Sequence, residues 1–517
     1  TVSGESHGTD YSFSYSRLDS AGLRPGPFNH SQTRENHYSA RVGHRFGDPD
    51  DPRVRVQSTF NASEQNFEIP FDFPGAFNFF AIPDGLPKSI STYDPNNSSR
   101  RIFFTSTNQV IVKATDWWKS ELRFSLTQNR KEDRNQLDGG LPFPFLFGGP
   151  FLTNLNRTRT AETTVEAEWL NHLTWEGKHW KNILTFGYLF EQDHVAFRDF
   201  STIATFGSLP PLHSTVSATR IRNAHYYQDQ LALWDRLFLN AGFRVDQESQ
   251  DAHLRAPGVA MPTHLHKDSL FGVEYTPRFS AALDLPEVHA KLHGAWSRNF
   301  HAPSLLDLYF PNFSNSDLKP EIGKSAEGGV TFSFLEDRLG GDITYFRTDF
   351  TNLIQFVLLP PPEFFDIRNV GTAKTEGLEI SAWAGPWKGV KVSGNYTFLD
   401  SRDDENKPLQ RRPRHKFNAT LAYTYKRFAM NVDFNLTGRQ RDSFNFIAAD
   451  GGLRVGDLRG WHRLDFAATY DLLRDRGPLE KLQLYTRVNN AFDSSFEQVK
   501  GFPDAGTTAF AGIRGSF

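Results

Sequence analysis

Few stretches of this chain carry residue types whose spacing could do chemistry. Gly4-Glu5-Ser6-His7-Gly8 matches the G-x-S-x-G spacing of a serine nucleophile. That chemistry needs a strand before the serine and a helix after it, so that a strained turn presents the hydroxyl. Only three residues precede Gly4 and a strand pattern follows, which predicts a polar, mobile N-terminus instead. His264 and His266 flank Leu265 and could share a cation, but two imidazoles are too few for a zinc site. Asp400 to Glu405 (DSRDDE) offers the oxygens that calcium takes, and it reads equally as a solvated loop. There is no P-loop and no dinucleotide fingerprint. No catalytic residue, cofactor or metal site is predicted, and the chain is not expected to be an enzyme.

Three other stretches suggest binding. Leu141 to Leu152 is strongly apolar for a connection and carries Phe143, Phe145, Phe147 and Phe151. Phe71, Phe73, Phe77, Phe79 and Phe80 crowd a second connection, and Phe364 and Phe365 close a third that begins at Leu358. Exposed apolar patches mark a ligand or partner surface, yet such loops can also pack on one another and bury their own rings. Both readings stay open. The candidate ligand or partner residues are Phe77, Phe79, Phe80, Phe143, Phe145, Phe147, Phe151, Phe364 and Phe365.

The elements that hold these loops are strands. In Arg412 to Thr437, Phe417, Ala419, Leu421, Tyr423 and Tyr425 share one face, with Asn418, Thr420, Ala422 and Thr424 opposite. After Lys426-Arg427, Phe428, Met430, Val432, Phe434 and Leu436 alternate with Ala429, Asn431, Asp433, Asn435 and Thr437. Period-two alternation is the mark of a strand. Each run can cross a membrane as a tilted strand of about 9–11 residues. The same grammar recurs at Tyr11–Arg17 with His37–Phe46, Ile102–Ala114 with Ser120–Asn129, and Thr160–Trp175 with Trp180–Glu191. It recurs again at Leu237–Val245, Leu482–Val488 and Ala509–Phe517. Tight connections (Asp48–Pro52, Thr115–Trp118, Glu176–Lys178, Lys426–Arg427) alternate with long ones. The long set is Asn66–Ser99, Lys131–Arg157, Asp199–Ala218, Glu248–Lys267, Ala302–Lys324 and Leu358–Ala373.

This is the grammar of an all-β fold, a transmembrane antiparallel β-barrel with short periplasmic turns and long extracellular loops. Mean hydropathy is −0.51, and no apolar run reaches the roughly 18 residues of a membrane helix. A net charge of −3 gives no pull toward nucleic acid. The last strand is expected to pair with the first, so that no edge remains.

Several phrases then resemble one family, the TonB-dependent outer-membrane receptors of cobalamin and siderophore type. Phe300-His301-Ala302-Pro303 is similar to its F-x-A-P, Leu318-Lys319-Pro320-Glu321 to its L-K-P-E, and Glu327-Gly328 to the pair that follows. Asn369-Val370-Gly371 with Glu376-Gly377-Leu378-Glu379, Arg412-Pro413-Arg414-His415, and Val488-Asn489-Asn490-Ala491-Phe492-Asp493 complete the series in the family's order. Physically they read as architecture: prolines bounding a loop, and glycines where backbones approach closely. The resemblance implies a barrel of about 22 strands in the outer membrane of a Gram-negative-type bacterium. One further hairpin is then expected inside Asn66–Ser99.

The family carries a plug before its barrel. The first strand here is expected by about Tyr11, so residues 1–517 read as a single barrel domain with the plug absent. An open barrel of this size would be a large aqueous hole, which favours a filled lumen. The expected partners are outer-membrane lipid, a lumen-filling plug or partner protein, and through that plug the TonB system. The leading expectation is transport of a scarce ligand. The alternatives are a scaffold that anchors partner proteins in a larger complex, and an open pore.

Overall fold

The computed structural model describes residues 1–21, 32–48, 50–68, 98–137, 154–203, 212–255, 264–267, 272–309, 314–358, 365–447, 453–476, 479–499, 502–504 and 506–516. Strands dominate. Twenty-two of them form one sheet, hairpin after hairpin, with consecutive strands as neighbours. One, His264–Lys267, pairs only with the upper end of Leu237–Arg255, in line with Val273–Leu285 on the same neighbour. Among the described residues the wall therefore has 21 staves.

The hairpin His415–Tyr425 with Phe428–Thr437 forms in the expected register. Phe417 faces Leu436, Leu421 faces Val432 and Tyr425 faces Phe428, all on one side. Asn418 faces Asn435 and Thr420 faces Asp433 on the other, where the Thr420 hydroxyl donates to Asp433 at 2.6 Å. The apolar side is exposed and the polar side lines the interior, as a barrel in lipid requires. Short turns and long connections alternate around the whole wall. Trp117, Trp118, Trp175, Trp180, Trp234 and Trp387 stand exposed beside the short turns. They form an aromatic girdle at one membrane interface.

The structure departs from the sequence reading in four places. Val2–Ser6 is a strand, paired antiparallel with Thr9–Ser20. Its polar sequence hides it, and the ladder to Thr9–Phe13 makes it. Next, Pro52–Glu68 pairs directly with Ser98–Lys113, so no extra hairpin of the wall intervenes there. Third, strands run far into segments read as loops: Trp180–Ile203, Leu212–Leu233 and Leu237–Arg255. Beyond the apolar band the outer face turns largely polar and the inner face carries the apolar side chains instead, so the membrane-type alternation fades while the backbone ladder continues.

Finally, Thr508–Ser516 pairs with Leu479–Asn489, and among the described residues nothing joins it to Val2–Ser6. All pairings are antiparallel, and an odd number of staves leaves the first and last strands pointing the same way. Direct antiparallel closure between these two is excluded by direction.

Candidate functional site

In the connection from Ala302 to Pro320, residues 302–309 and 314–320 fold inward, and their sequence explains how. Ser304 caps a short helix, Leu305–Tyr309. The Asp307 amide donates to Ser304 Oγ at 3.0 Å, and the Ser304 amide donates to Asp307 Oδ2 at 3.0 Å, a reciprocal capping box. Leu305, Leu308, Tyr309 and, further along, Leu318 bury against Val195, Phe197, Val216, Ala218, Ala252 and Leu254. Those six lie on the inner face of three adjacent staves. This is the one buried apolar cluster among the described residues.

The family-like phrases pin the connection in place. Asn369 Nδ2 donates to the Lys319 carbonyl at 2.8 Å and the Asn352 carbonyl at 2.7 Å, while the Lys319 amide donates to Asn369 Oδ1 at 2.7 Å. Glu321 Oε1 accepts from the Ile354 amide at 2.7 Å. Gly377 has no room for a side chain, since a Cβ there would press on the Phe398 carbonyl. Asn490 is buried, and its side chain brackets the Ser494 backbone at 2.9 and 3.0 Å. The expectation that these phrases are architectural holds.

Beneath the apolar roof the inner wall is a ladder of charges. Cross-strand register aligns Glu191, Arg222 and Glu248 in one row, and Asp193, Arg220 and Gln250 in the next. Arg220 Nε lies 3.0 Å from Glu248 Oε1, and both side chains are almost wholly buried. Arg222 pairs with Glu191 at 3.1 Å, and Arg244 grips both oxygens of Asp246 through its Nε at 3.0 and 2.8 Å. Arg220 also donates to the Pro303 carbonyl, and the Tyr309 hydroxyl donates to Gln250 Oε1 at 2.9 Å. Roof and ladder are thus one unit, with a cleft of about 460 Å³ between Arg222, Arg244, Thr276 and His301. Each carboxylate here has a cation or donor, so the arrangement suits contact with a polar guest.

Burial pushes the Tyr309 phenol up to about 12, with Glu248 and Asp251 adding to the rise and Arg220 opposing it. A raised folded-state value means stability that is complete below about pH 10 and lost as pH climbs toward 12. The protection of the amides of residues 304–309 and 314–318, taken relative to the intrinsic base-catalysed exchange rate at each pH, is expected to fall over that window in the wild type. In Tyr309→Phe, which has no proton to lose, that protection stays flat over the same window; a fall of the same size there would sink the assignment.

The sequence-predicted features fall differently. Phe77, Phe79, Phe80, Phe143, Phe145, Phe147, Phe151 and Phe364 lie outside the described residues. Phe365 opens the strand Phe365–Trp387. Ser6 ends a strand, its hydroxyl 2.8 Å from His7 Nδ1, and the chain turns at His7-Gly8 into another strand rather than a helix. His264 and His266 stand in the short strand opposite His253 and Asp251. The acidic run is matched by bases: Asp400 with Arg402 at 2.9 Å and Arg414 at 3.1 Å, and Glu405 with Lys407. The ladder escaped the sequence reading, although Arg220-Ile221-Arg222 and Asp246-x-Glu248-x-Gln250 carry its period-two signal.

The chain is similar to known proteins in sequence and in fold. The family described as TonB dependent receptor-like, beta-barrel, matches residues 5–491. The vitamin B12 transporter BtuB of Vibrio vulnificus (strain YJ016) is 29% identical over 233 residues, 44% of this chain and 34% of that protein. The BtuB of Photobacterium profundum is 23% identical over 310 residues, 59% of this chain and 46% of the relative. The chain thus spans between a third and a half of these curated relatives. The ferripyoverdine receptor of the outer membrane of Pseudomonas aeruginosa superposes with a TM-score of 0.76 at 15% identity, over 99% of this chain and 68% of that one.

Proposed function

Because the chain belongs to the TonB-dependent receptor family, of which it forms the β-barrel, we propose that it is the wall of an outer-membrane uptake receptor for a scarce metal chelate of corrinoid or siderophore type. The barrel sits in the outer membrane. It acts by capture and passage, with no covalent chemistry of its own. The lumen is filled by a plug-like domain of polypeptide other than residues 1–517, joined or separate, and energy reaches it through TonB.

The observation that carries this reading is the pairing of an apolar outer wall with a charged inner wall, roofed by the chain's own loop. Charged groups that project inward suit a removable polar guest better than a permanent apolar core. The test is uptake of radiolabelled cyanocobalamin and ferric chelates by cells carrying the protein, with and without TonB. Accumulation is expected only with TonB. Equal uptake without it, together with a large steady conductance in planar bilayers, would mean an open pore. No uptake and tight co-purification of an unrelated subunit would mean a scaffold.

A further inference from the structure

The outer face of four adjacent staves carries a basic patch that the uptake reading does not use. On Trp118–Leu137, the lipid-facing parity begins with the exposed Leu122 and Phe124 and continues to Gln128, Arg130, Glu132 and Arg134. Register places Arg100 opposite Glu132, Arg159 beyond Glu132, and Arg198 beyond Arg159, all on that face. Arg157 stands opposite Arg134. Six guanidinium groups therefore share the patch with three carboxylates, Glu64, Glu68 and Glu132.

The balance is unusual because two like charges oppose one another directly. Arg159 faces Arg198 across neighbouring strands, an arrangement that destabilises a sheet unless an anion joins it. Glu132 serves both Arg157 and Arg159, at 3.0 Å from the latter, and Glu64 serves Arg100 at 2.7 Å. Among the described residues, Arg130 and Arg198 have no carboxylate partner. They border a shallow groove of about 290 Å³ whose floor includes Ile102, Ala161 and Ala196.

Height decides what reaches this groove. Arg130 lies twelve residues beyond Trp118 of the girdle. That is about 40 Å of strand, and roughly 30 Å of height at a tilt near 40°, just past an apolar band about 25 Å tall. The patch is therefore level with the headgroups of the outer leaflet, with small apolar side chains beside the cations.

We propose that this groove is a binding site for a membrane lipid with a phosphate-bearing headgroup, held by Arg130, Arg159 and Arg198 while an acyl chain lies along Ile102 and Ala161. Guanidinium forks match phosphate oxygens in pairs, which explains why the cations are arginines. The inference rests on the outer-membrane placement and is independent of what the lumen carries.

The test uses the protein reconstituted in phosphatidylcholine vesicles with increasing phosphatidic acid, followed by native mass spectrometry of retained lipid. The wild type is expected to retain phosphatidic acid, and Arg130→Gln/Arg198→Gln to retain it at least about tenfold less. Arg17→Gln, an outward-facing arginine elsewhere on the wall, should behave as wild type. Equal retention by the double variant overturns the site. So does displacement of the lipid by equimolar inorganic phosphate, which would mark a free-anion site instead. Insertion into phosphatidylcholine alone reads the membrane placement separately, and failure of the wild type to insert overturns both.

Discussion

Replacing Glu248 with alanine is expected to cost the fold about 3–5 kcal/mol, the range for removing one partner of a buried ion pair. Glu248 is fully buried, and so is nearly all of Arg220, 3.0 Å away. The loss leaves two cations facing each other's neighbourhood, because Arg222 Nε stands 3.9 Å from the same carboxylate. Water cannot easily reach Arg220 beneath the Leu305–Tyr309 roof. The damage should spread upward, since Arg220 also holds the Pro303 carbonyl at the start of that roof. Two readouts follow: a lower denaturant midpoint for the reconstituted barrel, and faster proteolysis between residues 302 and 320. Removing both charges together, in Arg220→Met/Glu248→Leu, should recover most of the midpoint, because an apolar pair of similar volume has no desolvation cost. It should not recover the protease resistance, because the Pro303 carbonyl still lacks its donor. A single variant as stable as wild type would mean that the ladder is hydrated and energetically slack.

What could be read from the sequence divides along a physical line. The hairpin His415–Thr437 was legible because lipid on one side and water on the other impose opposite chemistry on alternate residues. Its turn needed no glycine: Lys426 takes the left-handed conformation itself, at φ 54°. Strand ends were less legible. In Trp180–Ile203 the stretch past Glu191 reads Gln-Asp-His-Val-Ala-Phe-Arg, with no clean apolar face, because it stands above the bilayer and its inner side meets the roof. Val2–Ser6 carried no signal, as five largely polar residues become a strand only through their partner.

The site was half legible. Arg220, Arg222, Asp246, Glu248 and Gln250 show the right period, but periodicity alone does not say that the two runs face each other. That needs the register of two long strands. The inward fold of Ala302–Pro320 was not legible at all. It depends on Asn369, Ile354 and Ile367, which come from strands that begin well after the loop ends. The Phe-Pro loops drew the eye because their composition is odd. The ladder drew none, because charged residues on a strand look like ordinary surface until a lumen is known to be there.

Phe124→Arg is the sharpest test of which face meets lipid, and it is expected to cost about 2–4 kcal/mol, the range for a cation at the bilayer midplane of a barrel. Phe124 is exposed and lies six residues beyond Trp118. That is about 20 Å along the strand and roughly 15 Å in height, near the middle of an apolar band about 25 Å tall. The neighbouring residue makes the point by contrast: Arg123, on the opposite face at the same depth, is held by Glu168. One arginine is native in the lumen, so the same side chain one position later probes solvent and nothing else. Asn129→Arg, which would sit beside Glu162 on the lumen face, should cost less than about 1 kcal/mol. Both are measured by denaturant unfolding from phosphatidylcholine vesicles, followed by tryptophan fluorescence. A large loss at Phe124 with a small one at Asn129 fixes the inside and outside of the wall. Equal small losses would place both faces in water, and the aromatic girdle, the lipid groove and the uptake reading would then fall together.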